Sequence, residues 1–206
     1  MINYKGNLVV ISGPSGVGKS TLVKAARQVL PDLAFSVSCT TRSMRSGEVH
    51  GKDYYFLSPE EFEKKVAANE FIEYAGVFNH RYGTLKSEIN SRLAAGEQIL
   101  LDIDVQGAKQ IRAAAAADPE LSAVTNFIMI VPPSFGALES RLANRNSETP
   151  EQLALRLAAA KSELSNFRIY DYIVVNDDLE RAGRELIAVL TALRLRSTLI
   201  TGEPFV

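Results

Sequence analysis

Short unbroken apolar runs recur along the chain, and between them lie longer stretches where apolar positions return every three or four residues. The first kind reads as strands buried on both faces, the second as helices with one face in a core. On this reading residues 8–12, 35–38, 71–77, 98–103, 126–131 and 172–175 are strands. Helices are expected over 19–30, from Ser58 to near Asn69, and over 85–95, 105–117, 134–144, 150–167 and 179–200. The punctuation agrees. Pro31, Gly96, Asp118-Pro119 and Pro132-Pro133 close the elements before them, while Ser58-Pro59-Glu60-Glu61 and Thr149-Pro150-Glu151-Gln152 are capping boxes that open helices. Strands alternating with helices predict an α/β fold with a mainly parallel sheet flanked by helices. One polar, glycine-containing stretch, 39–53, interrupts the alternation and ends in the aromatic cluster Tyr54-Tyr55-Phe56.

Composition narrows the class. With 206 residues, 46% hydrophobic and 23% charged, the chain suits one substantial core. A net charge of −1 argues against general attraction to nucleic acid or an anionic membrane, so any phosphate recognition must come from locally placed cations. The lone Cys39 has no intrachain disulfide partner, the N-terminus lacks signal-peptide character, and no apolar run suffices to span a bilayer. A soluble, cytoplasmic protein is expected.

The sharpest chemistry follows the first predicted strand. Gly13-Pro14-Ser15-Gly16-Val17-Gly18-Lys19-Ser20 reads G-x-x-x-x-G-K-S and continues into Thr21 and a helix, the strand–loop–helix order of a phosphate-cradling P-loop. Backbone N–H groups of such a loop point at one anion, with the helix N-terminus behind them. Lys19 is placed for the β- and γ-phosphates and Ser20 for Mg²⁺, so ATP–Mg²⁺ is expected. Asp102 and Asp104 close an apolar strand; an aspartate there commonly holds Mg²⁺ in P-loop proteins, and Asp102 is assigned to the metal. Asp104 also fits as the N-cap of the next helix.

Arg42 and Arg45 stand three apart in the polar stretch, with Tyr54 and Tyr82 as further donors. A guanidinium donates two parallel hydrogen bonds to a phosphate, although two loop arginines alone also describe ordinary solvated surface.

Together the residues resemble the guanylate kinase family over essentially the whole chain. The likeness rests on the P-loop, Thr40-Thr41-Arg42 with Arg45 and Gly47-Glu48, Gly51-Lys52-Asp53-Tyr54, Phe71-Ile72-Glu73, Tyr82-Gly83-Thr84, Leu101-Asp102-Ile103-Asp104-Val105-Gln106-Gly107 and Val174-Val175-Asn176-Asp177-Asp178. It implies a P-loop kinase fold and transfer of the γ-phosphoryl of ATP to GMP or dGMP. It also implies that Arg42, Arg45, Tyr54 and Tyr82 hold the GMP phosphate while Ser38, Glu73, Thr84 and Asp104 read guanine. An ionised carboxylate accepts from both guanine N1–H and the exocyclic amine, whereas adenine lacks the N1–H. Further implications are a lid whose Arg145 and Arg156 close on the triphosphate, catalytic roles for these two with Lys19 and Arg42, and Asn176 near the adenine of ATP. A core of about 1–36, 97–131 and 168–206, a GMP-binding insertion of about 37–96 and a lid of about 132–167 complete the expectation.

Two positions depart from the family pattern: Met44 where proline is frequent, and Asn146 where glycine often follows the lid arginine. Two other readings compete. Related P-loop kinases act on other monophosphates or a sugar phosphate, and guanylate-kinase-like scaffold domains bind proteins instead. The tail from Leu190, with Leu193, Leu195, Leu199 and Phe205, is read as packing on the core or on a second subunit.

Overall fold

A computed structural model describes residues 3–77, 79–143 and 149–202. In chain order the elements are β1 (Asn3–Tyr4), β2 (Asn7–Ser12), α1 (Lys19–Val29), β3 (Leu33–Phe35), β4 (Cys39–Thr40), β5 (Tyr55–Phe56) and α2 (Pro59–Ala67). There follow β6 (Phe71–Val77), β7 (His80–Leu85), α3 (Lys86–Ala94), β8 (Gln98–Asp102), α4 (Val105–Ala117), α5 (Pro119–Val124) and β9 (Thr125–Val131). The last are α6 (Phe135–Ala143), α7 (Pro150–Leu164), β10 (Tyr172–Val175), α8 (Leu179–Arg194) and β11 (Ile200–Thr201).

Five strands form a parallel sheet in the order β10-β9-β2-β8-β3. Its middle strand β2 is buried at every position, which is why its sequence shows no alternation. One face packs under α1 and α8 through Val9, Ile11, Leu22, Ala26, Leu186 and Leu190. The other packs under α3 and α4 through Leu8, Val10, Ile89, Leu101, Ile111 and Phe127. Each face buries about 25 cal/mol per Å² of apolar area removed from water, the main term holding the layers together.

A second sheet of four strands, β5-β4-β7-β6, stands beside the first, with β4–β7 and β6–β7 antiparallel. It has its own small core of Cys39, Phe62 and Phe71, the two rings stacked at 4.5 Å. Burial pushes the Cys39 thiol up to about 12, so it is an inert apolar group there. A fourth cluster joins α6 to α7 through Leu138, Leu142 and Ala160. Among the described residues no helix is long and apolar enough to cross a membrane.

Several expected boundaries shift. The strand expected at 35–38 is β3, paired two residues earlier; Ser36 adds one bond to Leu100 and the chain then leaves the sheet. Asp118-Pro119 ends α4 and also starts α5: the Asp118 carboxylate accepts from the Glu120 and Leu121 N–H groups, with proline at the first position. The helix expected over 150–167 stops at Leu164, followed by a 3₁₀ turn at Phe167–Ile169. The closing helix stops at Arg194 rather than 200, because a 3₁₀ turn at Ser197–Leu199 redirects the chain so that β11 pairs with β1. Leu190, Leu193 and Leu199 pack into the core, Leu195 is exposed, and Phe205 lies outside the described residues. Strands β4, β5 and β7 had no sequence expectation.

Candidate active site

The loop between β2 and α1 runs from the C-terminal edge of the parallel sheet, where ligands collect in open α/β folds. Gly18 caps α1 with φ 91°, a left-handed conformation that glycine adopts without strain. No side chain caps this helix and its first turn holds no acid, so its leading N–H groups point to an anion site. Gly16 lies against Leu142 of α6, where a Cβ would stand 2.6 Å from a leucine methyl. Asn176, buried after β10, donates from Nδ2 to the Val17 carbonyl at 2.7 Å, and its own carbonyl accepts from Arg141. The asparagine expected beside adenine thus braces the phosphate loop.

Lys19 reaches across to an ion pair with Asp102 at the end of β8, and its Nζ also lies 3.4 Å from the Ile103 carbonyl. Asp104 lies two residues beyond the end of β8, so strand alternation does not set its direction relative to Asp102. It caps α4 instead, accepting from the Gly107 N–H at 2.8 Å. Both aspartates nevertheless line one cavity of about 360 Å³, together with Lys19, Ser36, Ser38, Asp53, Tyr54, Glu73 and Tyr82. A neighbouring cavity of about 390 Å³ is lined by Ser20, Lys24, Arg27 and again Asp102.

Residues from β4's approach, β6 and β7 make the far wall. Thr84 donates to Glu73 Oε1 at 2.7 Å, and Ser38 lies 3.2 Å from the same threonine oxygen. An ionised Glu73 accepts only, so the Thr84 proton points to it and Ser38 donates to Thr84. Glu73 is 4% exposed. That burial, against the opposing bond from Thr84 and with a further push from Asp104, raises its carboxyl to about 7.

Arg42 donates to both Glu48 carboxylate oxygens, at 3.0 and 2.8 Å, and Glu48 also accepts from the Arg45 N–H. The Arg42 bonds hold the Glu48 carboxyl below its usual range. The guanidinium sits 5.5 Å over the Tyr54 ring, and Tyr54 meets Tyr82 edge-on at 6.0 Å. Burial raises the Tyr54 hydroxyl, which therefore serves as a neutral donor.

The expected residues Lys19, Ser38, Tyr54, Glu73, Tyr82, Asp102 and Asp104 thus converge on one cavity, with Thr84 behind Glu73 and Arg42 over Tyr54. Ser20 opens toward the neighbouring cavity, Arg156 lies on α7, and Arg145 and Asn146 lie outside the described residues. Three groups escaped the sequence reading. Glu48 holds Arg42 and the Arg45 N–H, and a carboxylate three residues after Arg45 in a tight polar turn is its cue. Ser36 is buried with a hydroxyl that has no partner among the described residues. Glu163 on α7 is raised by burial and by Asp104 while Lys19 lowers it, which puts α7 beside the site.

The guanylate kinase family model matches residues 5–193. The chain is 45% identical to the guanylate kinase of Symbiobacterium thermophilum over 94% of its own length and 88% of the relative. It is 46% identical to that of Methylococcus capsulatus, over 93% and 90%. A crystal structure of guanylate kinase from Anaplasma phagocytophilum superposes with a TM-score of 0.74 at 32% identity, covering 98% of this chain and 93% of that one. By the family model's span, by its identity to these relatives and by its overall fold, the chain belongs to the guanylate kinase family.

Proposed function

We propose that the chain, a nucleoside monophosphate kinase by family, transfers the γ-phosphoryl group of ATP to GMP and dGMP, releasing ADP and GDP or dGDP. The carrying observation is one cavity that joins Lys19 and Asp102 at the phosphate loop to Ser38, Tyr54, Glu73, Tyr82 and Asp104 on the opposite wall. A phosphate donor and a purine monophosphate would meet there.

In this mechanism Arg42, Arg45, Tyr54 and Tyr82 hold the acceptor phosphate, while Ser38, Thr84, Glu73 and Asp104 read the guanine edge. An oxygen of the bound GMP phosphate attacks the γ-phosphorus of ATP, and the bond to the β-bridging oxygen breaks with ADP as leaving group. The acceptor oxygen is already anionic, so no general base is needed. Residues 13–21 cradle the phosphates, and Lys19 stabilises charge on the bridging and γ-oxygens as it develops. Arg145 and Arg156, in a lid of about 132–167, add positive charge and exclude water from the insertion of about 37–96 and the core.

The donor set suits Mg²⁺: one hydroxyl, Ser20, and one carboxylate, Asp102, line the same cavity, and hard oxygen ligands few in number leave room for water and phosphate. When bound there the ion neutralises phosphate charge. A cytoplasmic setting fits the single unpaired cysteine, and a role in purine nucleotide metabolism follows from the proposed reaction.

Diphosphate formation from ATP–Mg²⁺ with GMP, dGMP, AMP, UMP, CMP and ribose 5-phosphate tests the proposal. Turnover confined to GMP and dGMP is expected. Another preferred acceptor would overturn the base-site assignment, and no turnover at all would leave the scaffold reading.

A further inference from the structure

Glu73 is gripped between two elements. Thr84 holds Oε1 from β7, while Oε2 lies against the first turn of α4, where the chain has Gly107. A Cβ built on Gly107 would stand 2.7 Å from Glu73 Oε2, 3.3 Å from its Cδ and 3.1 Å from Ile103 Cδ1. Glycine is a poor helix former, and Gly107, in the first turn of α4, is not among the glycines with positive φ, so no backbone dihedral requires it. Its N–H bond to Asp104 would survive in alanine. What alanine could not share is the space of the carboxylate. One turn further on, Gln110 grips the same strand, accepting from the Tyr74 N–H at 3.1 Å and donating to the Tyr74 carbonyl at 2.7 Å. With β6 pinned there, Glu73 has little freedom to back away.

We infer that Gly107 is a specificity-setting position: the missing side chain on α4 leaves the slot in which Glu73 presents its carboxylate to guanine. This rests on the guanine-reading role proposed above. Gly107 touches no substrate; it is a positioning residue acting through Glu73. The obstructed atom is the end of a flexible side chain, so a methyl group at 107 turns the carboxylate and leaves the fold intact.

Gly107→Ala tests this with the full-length protein. Expected are an undiminished melting temperature by circular dichroism, a KM for GMP raised about tenfold or more, smaller changes in kcat and in KM for ATP, and a narrowed preference for GMP over AMP. Glu73→Ala removes the obstructed group, so Gly107→Ala on that background should add less than about twofold. Three results would overturn the inference: a GMP KM within about twofold of the parent, a Gly107→Ala protein that does not fold, or losses that multiply in the double variant. The parent assayed on the acceptor panel separates the two failures. A parent that ignores GMP sinks the base-site reading, whereas a GMP-specific parent matched by Gly107→Ala sinks only the role of Gly107.

Discussion

The two walls of the cavity are built on different principles. The side assigned above to the phosphate donor is mostly backbone: a glycine-bearing loop and an uncapped helix terminus within residues 13–21, anchored on a strand buried throughout, with the Lys19 side chain reaching the cavity. The acceptor wall is side chain. Ser38, Glu73, Thr84 and Asp104 come from four separate segments and meet only because β4, β6 and β7 form a sheet beside α4. A backbone site recognises what every nucleoside triphosphate shares. A side-chain site, with a donor chain running from Ser38 through Thr84 to Glu73, has the means to distinguish one base from another.

The comparison breaks first at Lys19. Lys19→Ala should lower kcat about 10²–10³-fold and leave GMP affinity within about threefold, as read by steady-state kinetics and GMP titration. Comparable losses in both would mean that the two walls do not act separately.

Glu73 gives the next largest effect, and it depends on pH. With the carboxyl near 7 and guanine needing the ionised form, KM for GMP should be flat above about pH 8 and rise as pH falls through 7. Glu73→Gln should raise KM for GMP about tenfold or more and abolish that slope. The stability sign runs the other way. The folded-state value lies above the 4.5 of an unperturbed glutamate, so the native state holds the extra proton between the two. The contribution of Glu73 to stability is therefore full below about 4.5 and lost as pH rises through 7. Glu73→Gln should melt higher than the parent at pH 8. An unchanged pH profile would mean that Glu73 does not carry base recognition.

Asn176→Ala should weaken the donor wall alone. It strips the Val17 carbonyl of a buried partner at a cost of about 1–3 kcal/mol and should raise KM for ATP more than KM for GMP. Gln110→Ala is the mildest. Two exchanged bonds to Tyr74 vanish, stability falls by about 1 kcal/mol, and hydrogen exchange at the Tyr74 amide accelerates.

The same contrast explains what could be read from the sequence. The parallel sheet was legible because β2, β8 and β9 are buried on both faces and written as unbroken apolar runs, and the phosphate loop because it is contiguous. Of the acceptor sheet only β6, expected at 71–77, was legible. β7 carries Arg81, Tyr82, Gly83 and Thr84, a mixture without period, and exists as a strand because β4 and β6 pair with it. β4 and β5 are two residues each, too short for any pattern. Its chemistry was assigned by family likeness, and the partners Glu48 and Gln110 surfaced only in three dimensions. The early end of α8 has the same origin: Leu195 to Leu199 are helix-compatible, but pairing of β11 with β1 prevails.

The grip of Gln110 on Tyr74 reaches beyond catalysis. β6 is an outer strand of its sheet, with β7 on one side only. Unpaired amides and carbonyls along such a border invite another chain to add a strand. Here a single glutamine amide imitates a neighbouring strand, one donor and one acceptor matched to one residue, with the body of α4 behind it. The border is closed to an added strand at its middle, so the glutamine that steadies the proposed base-reading sheet also guards its edge.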